Sequence, residues 1–470
     1  MSSQAMPRLR LRDSFWDNKK KPFAIAVGST ILLLILLFLG NLSYLYGSLY
    51  KSGDRIHNIN VLAVDFDGGV IGQSLSAVYK ELQSDQFPTL QFHSTAEYPT
   101  VDDVRNAVCR GEFWAGVVTQ PGASSRLSAA LGGGSAASEY NPSNTLTYVW
   151  NEANYPAVQL GNVAGNLQTL IGATSAAYHA INGTQAITAL NASSPAAVSA
   201  FSDPIRASSI SIAGEPQGTR VLYNTITMIL PILQQFFFLM ALNGINNQFH
   251  MYARLATIHI IRMRFSISAT FTLLSSLTIA GYIWAFRESW AVSGRQFALV
   301  WMTFWLYCHI NFLVLDVATA FIPASFLTFF VITWAVMNVT ATIYPFALVP
   351  GFYKWAYALP SHETWAILVQ IYSNGCNNQL HRALPILFSW WIVGLVLAVF
   401  GVLYRDRAAK RGLMAAEERE RELIAQGKNM GLERELAADI QAANGPVGWG
   451  SPIADNIYRE PALSRETTEV

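Results

Sequence analysis

The sequence predicts a polytopic α-helical membrane protein with six transmembrane helices and a large extracytoplasmic α/β domain inserted between the first and second spans. Three observations lead there: a chain poor in charge, apolar runs long enough to cross a bilayer, and basic residues gathered at particular run ends. Of 470 residues, 13% are charged, about half the soluble share, and 52% are hydrophobic. Mean hydropathy is +0.27. Such a chain cannot cover its apolar surface with water-facing side chains. The net charge of +1 (31 basic, 30 acidic) excludes nucleic-acid binding, which needs a basic excess on one face. Three cysteines form no disulfide framework and show no zinc spacing.

Phe23 to Tyr46 is 24 residues without a charge, enough to cross about 30 Å of hydrocarbon, and too long for a signal-peptide core. Further runs follow at Val221 to Asn243, Phe265 to Phe286, Gln296 to Phe321, Phe326 to Leu348 and Pro385 to Tyr404. Lys and Arg near span ends are retained on the cytoplasmic side. The N-terminal 1–21 carries Arg8, Arg10, Arg12, Lys19, Lys20 and Lys21 against Asp13 and Asp17. The loop Gly244 to Arg264 carries Arg254, Arg262 and Arg264 with no acid, and the tail opens R-D-R-A-A-K-R from Arg405. All three segments fit six spans with both termini cytoplasmic. The layout is then a basic N-terminus (1–21), a first helix (22–46), an outer domain (51–220), a five-helix membrane domain (221–404) and a charged helical tail (405–470) that includes A-A-E-E-R-E-R-E-L-I-A-Q and L-E-R-E-L-A-A-D-I-Q-A-A.

Within the outer domain, I-N-V-L-A-V-D-F-D (Ile59 to Asp67) reads as a strand ending at paired glycines. A helix with Ile71, Leu75, Val78, Tyr79 and Leu82 inward follows. Leu90 to Ser94, Phe113 to Thr119 and Leu146 to Trp150 are further strands, and Thr100 with Asp103 opens a capped helix. A long helix runs from about Ala157 to Ile181, then a polar Ala/Ser-rich stretch. Asp65 and Asp67 either end a strand and shape a turn or belong to a phosphate or metal site; no third ligand is near in sequence. Asn182 and Asn191 head glycosylation sequons. Cys109 and Cys376 both fall outside the cytoplasm, where a bridge is permitted; Cys109 also fits a buried helix face without one.

No catalytic signature is present. There is no phosphate-binding loop, His362 and Glu363 begin an H-E-x-x-H that fails at Ala366, and G-x-S-x-G is missing, so no enzyme activity and no metal or cofactor is expected. Polar groups inside spans carry more weight, because an ionised side chain at mid-membrane costs about 2.5–3.5 kcal/mol on insertion scales. His309 and Asp316 lie seven residues apart on one helical face, Gln234 and Gln235 sit in the second span, and Asn338 in the fifth. These residues either line a substrate path or proton relay, or hydrogen-bond between helices with Asp316 wetted at the cytoplasmic end. Gly351 to Tyr372, aromatic and broken by Pro360, suits an interfacial or re-entrant helix pair in the segment 350–372.

The segments W-D-N-K-K-K-P (Trp16 to Pro22), I-N-V-L-A-V-D-F-D-G-G, R-N-A-V-C-R-G-E-F-W-A-G-V-V-T-Q-P-G, V-W-N-E-A-N-Y-P and Y-A-L-P-S-H-E-T-W complete the layout. With them it resembles the fungal nitrosoguanidine-resistance membrane proteins, related to bacterial phage-infection proteins and to the membrane domains of type-2 ABC exporters. The resemblance covers about 14–410 and implies a plasma-membrane permease-like protein that exports toxic small molecules. It also implies a homodimer, with any ATPase a separate subunit docked on the 244–264 loop, since the chain has none of its own. An exporter should lose resistance on Asp316→Asn or His309→Ala at normal surface levels. The alternative is a membrane-organising or scaffold protein that influences lipid distribution without transport.

Overall fold

The computed structural model describes residues 13–14, 17–213 and 218–425. Arg8, Arg10, Arg12, Trp16, the tail segment L-E-R-E-L-A-A-D-I-Q-A-A and the rest of 426–470 lie outside the described residues. Among the described residues, six helices are long and apolar enough to cross a membrane, as expected of a polytopic helical membrane protein.

The first is α1 (Lys20–Leu49). A five-stranded sheet with its helices follows: β1 (Asn60–Asp65), α2 (Val70–Leu82), β2 (Thr89–His93), α3 (Val101–Arg110), β3 (Ala115–Thr119), α4 (Ala123–Leu131), α5 (Gly134–Ser138), β4 (Leu146–Asn151), α6 (Pro156–Val158), α7 (Gly165–Ala189), α8 (Pro195–Ser202) and β5 (Ala207–Ile212). Then come α9 (Ile226–Gln248), α10 (Met251–Arg254), α11 (Thr257–Ala285), α12 (Gly294–Phe321), α13 (Ala324–Ile343), α14 (Pro360–Tyr372) and α15 (Leu380–Ala425).

The sheet order is β2-β1-β3-β4-β5, with β1 parallel to β2 and β3, β3 antiparallel to β4, and β4 parallel to β5. Parallel neighbours need crossovers, which α2 and α3 supply. The near-continuous apolar runs of β1 and β3 fit strands covered on both faces. Leu62, Val64 and Val118 pack with Val104 and Ala107 of α3. A side chain at Gly116 would collide with Val104, so glycine lets α3 approach β3. Thr100 and Asp103 cap α3 reciprocally.

The polar Ala/Ser-rich stretch contains α8 and β5, which hydropathy alone does not reveal. Ser208 and Ser209 bind Thr147 (2.7 Å) and the Trp150 indole (3.1 Å) across the ladder, and Ile210 and Ile212 pack with Val108, Val149 and Cys376, so serine hydroxyls and a two-isoleucine face together hold the strand. The two aspartates after β1 are used locally. Asp65 accepts from the Asp67 and Gly68 amides (3.0 Å each) and from Thr119, and Asp67 accepts from the Ser124 amide (2.9 Å) and hydroxyl.

Span boundaries move. The second span starts at Ile226 rather than Val221, and the third at Thr257 rather than Phe265. The supposed 244–264 loop therefore shrinks to the residues around α10 between Gln248 and Thr257. The fifth span ends at Ile343 rather than Leu348. The last does not stop at Tyr404: α15 runs unbroken to Ala425, absorbing R-D-R-A-A-K-R and most of A-A-E-E-R-E-R-E-L-I-A-Q. The segment 350–372 is a 3-10 turn (Gly351–Ala358) followed by α14, whose residues are buried on all sides except at Gln370. For α14 that corrects the interfacial reading, because a helix lying on a membrane surface would leave one face open; the turn before it keeps Phe352, Trp355 and Tyr357 exposed, in keeping with that reading.

The chain divides into two compact units. One holds the described residues through Ile229, Trp284–Phe297 and Ile332–Ala383; the other holds Leu230–Ile283, Ala298–Val331 and the described residues from Leu384 onward.

Candidate functional site

In the second unit, Asp316 on α12 is buried at 3% exposure, which corrects the wetted-end reading. One carboxylate oxygen accepts from Arg264 of α11 at 2.5 Å and from Arg405 of α15 at 2.9 Å. Arg405 also donates to the Asp316 carbonyl (2.7 Å) and the Thr319 hydroxyl (2.6 Å), and Arg264 to Asn243 of α9 (3.2 Å). Four helices thus converge on one buried carboxylate. The network has two guanidinium groups and one carboxylate, a surplus of one positive charge.

His309 lies on the same face of α12, two turns away. Its Nε2 is 3.3 Å from the Ser268 hydroxyl of α11 and its Nδ1 accepts from the Trp391 indole of α15 at 3.1 Å. The seven-residue spacing therefore presents both polar side chains to the same two helices. Gln234 and Gln235 meet Ser275 of α11, which donates to Gln234 (2.6 Å) and accepts from Gln235 (3.1 Å). These contacts have the form of interhelical hydrogen bonding.

Asn338 belongs to the first unit. Its side chain accepts from the Ser361 amide (3.3 Å), and its carbonyl accepts from the Ser361 hydroxyl (2.6 Å), holding the start of α14. The next residue, His362, donates through Nδ1 to the Ala341 carbonyl at 3.0 Å, and burial pushes its pKa down to about 4. Glu363 follows, fully buried, with Arg382 donating to both carboxylate oxygens at 3.1 and 3.2 Å. Burial raises the Glu363 pKa against the opposing pull of Arg382. The Arg382 guanidinium also sits over the Tyr357 ring, 4.9 Å from its centroid.

Two sequence segments meet here. Tyr155 of V-W-N-E-A-N-Y-P lies edge-on to Trp365 of Y-A-L-P-S-H-E-T-W, with ring centroids 5.9 Å apart. Tyr155 has φ of 54°, a left-handed conformation that a bulky residue adopts only under tertiary constraint. Cys109 and Cys376 are bonded, joining the end of α3 to the turn before α15 across 267 positions. Of the sequons, Asn182 sits inside α7 with its amide donating to Tyr178 (3.3 Å), whereas Asn191 is exposed in the turn after α7.

Sequence reasoning missed Arg264 and Arg405 as site residues. Each had been counted as a flanking charge that ends an apolar run.

A model for a protein family of unknown function, DUF3533, matches residues 30–396. The chain belongs to that family. Its domain is the one found in fungal nitrosoguanidine-resistance proteins. The match spans α9, α11 and α12 of the Asp316 network and the first part of α15, ending before Arg405, and it includes both partners of the disulfide. No solved structure matches the chain.

Proposed function

We propose that the protein is a permease-like exporter of toxic small molecules that has no ATPase of its own. The observation that carries this reading is the Arg264–Asp316–Arg405 network, an ionisable cluster buried among apolar helices. Ionisable groups in such helices are costly, and where they are kept they commonly mark a path or a switch. Membership of a family whose domain occurs in nitrosoguanidine-resistance proteins supports the same reading. In this proposal the protein resides in the plasma membrane with both termini cytoplasmic and the sheet domain outside. The basic residues at the ends of α10, α11 and α15, the Cys109–Cys376 bond and an exposed Asn191 are all compatible with that arrangement. A homodimer, and an ATPase subunit docked near α10, belong to the proposal by analogy with type-2 ABC exporters.

Reconstitution tests it. Purified full-length protein in liposomes, with any co-purifying ATPase, should move a nitrosoguanidine-type compound, and His309→Ala should lower that flux at equal incorporation. Absence of flux, with altered lipid asymmetry in cells lacking the protein, would overturn the exporter reading in favour of a membrane-organising role.

A further inference from the structure

The end of the second unit that holds Arg264 has a donor chemistry its own residues do not satisfy. Among the described residues, Arg264 Nε and Asn246 Nδ2 are buried without a hydrogen-bond partner, and the Tyr252 hydroxyl, whose oxygen faces the Arg405 guanidinium, has no acceptor for its own proton. Their residues are 3%, 3% and 7% exposed, so bulk water does not serve them. Asn246 is one turn beyond Asn243, which Arg264 already binds at 3.2 Å. Tyr252 of α10 packs on Ile260 and Val402, each one turn before the arginines of α11 and α15.

The charges around these donors do not balance. Arg264, Arg405 and Lys410 face Asp316 and Asp406, and Asp406 is taken by Lys410 at 2.8 Å and Thr257 at 3.1 Å. The half-exposed Lys410 balances Asp406, so the buried Arg264–Asp316–Arg405 set keeps one positive charge. The carbonyl end of α9 supplies about half a negative charge as a dipole, and it offers no partner to the N–H and O–H groups. Ordered water would satisfy the donors and leave the charge uncompensated. An oxyanion does both, since it accepts several hydrogen bonds and carries the missing charge. Among the described residues, the buried acceptor lacking a partner at this end, Asp406 Oδ1, sits on a carboxylate that Lys410 already pairs.

We propose that Arg264, Asn246 and Tyr252, at the junction of α9, α10 and α11, bind a phosphate-type oxyanion, delivered either as a phospholipid headgroup or as a soluble phosphate. The exposed Arg254, Arg262, Arg407 and Arg411 at the same end would draw anions toward it, and the exposed Phe249, Ile258 and Phe265 beside them are suited to acyl chains. The site stands apart from transport: it requires no flux, only occupancy.

The test uses the full chain purified in uncharged detergent. Binding and melting temperature are measured with inorganic phosphate, and again in nanodiscs of phosphatidylcholine with or without phosphatidic acid. Saturable stabilisation by phosphate, by phosphatidic acid or by both supports the site, and the arm that responds names the source. Asn246→Asp replaces an orphaned donor with a carboxylate that neutralises the surplus charge. It should weaken anion binding by about 10- to 100-fold while the anion-free protein melts no lower. Tyr252→Phe, which removes only a hydroxyl, should weaken binding by about three- to tenfold. No saturable response in either arm, or unchanged affinity in both variants, overturns the proposal. Because binding is read without liposome flux, an exporter assay that fails leaves this result standing, and the reverse holds.

Discussion

Two buried ion pairs invite comparison. Asp316 in the second unit is held by two arginines, its own exposure and that of Arg264 both near zero. Glu363 in the first unit is equally buried but has a single arginine, Arg382, whose side chain is 32% exposed. The first set is unbalanced and sealed; the second is balanced and has one partner open to water. A sealed surplus of charge is unfavourable for stability alone, so selection for something other than folding is the simpler physical account of the Asp316 network. The Glu363 pair reads as an anchor, since it fastens the first turn of α14 to the start of α15.

The largest predicted effect separates the two directly. Asp316→Asn leaves two desolvated guanidinium groups facing a neutral amide. Loss of one partner of a buried pair costs about 3–5 kcal/mol. Thermal melting of purified protein in detergent should show the loss, and added phosphate should restore less than half of it because the hole lies at the carboxylate. If Asp316→Asn melts like the parent, the network is not a sealed charge cluster and the contrast collapses.

Much of this was legible in the chain. Composition and apolar runs fixed the class and the number of candidate spans, and the seven-residue spacing placed His309 and Asp316 on one face of α12. Their partners were not legible, because they sit 52 and 89 positions from Asp316. Hydropathy also misled in a consistent way. It ended the apolar runs at Phe265 and Tyr404, each next to one of the two arginines, because an isolated guanidinium is penalised in hydrocarbon. Both helices continue through those arginines, since the partner that removes the penalty comes from another helix. β5 was hidden for the opposite reason: among its serines only Ile210 and Ile212 alternate, too short an apolar signal to stand out, and its hydrogen bonds to Thr147 and Trp150 are tertiary.

A second prediction concerns pH and the neighbour of Glu363. Burial holds His362 neutral, with its pKa down from 6.5 to about 4. The unfolded chain therefore binds a proton that the folded protein refuses. The stabilisation is fully present above pH 6.5 and is lost as pH falls from there to about 4, reaching up to about 3 kcal/mol. His362→Gln retains a donor for the Ala341 carbonyl and cannot be protonated. Its melting temperature should fall less steeply than the parent's between pH 6.5 and 4.5. Parallel slopes would show that His362 is hydrated in the folded protein, and the first unit would then be less sealed than its geometry implies.

The smallest effect belongs to Glu363 itself, and its sign is opposite. Burial raises this carboxyl above its ordinary value, so the folded protein favours the protonated form, and stability declines as pH rises from 4.5 through the raised pKa. Glu363→Gln resembles the protonated state. It forfeits the pair with Arg382 but also removes the cost of a buried charge, and Arg382 can turn to water while keeping its place over Tyr357. The two changes should nearly cancel, within about 1 kcal/mol at neutral pH. The variant's melting temperature should also lose the alkaline-going decline that the parent shows from pH 4.5 upward once the histidine contribution is removed in a His362→Gln background. A destabilisation of Glu363→Gln as large as that of Asp316→Asn would mean that Arg382 is as trapped as Arg264. The difference between an anchor and a charged site would then have to be sought in the surplus charge alone.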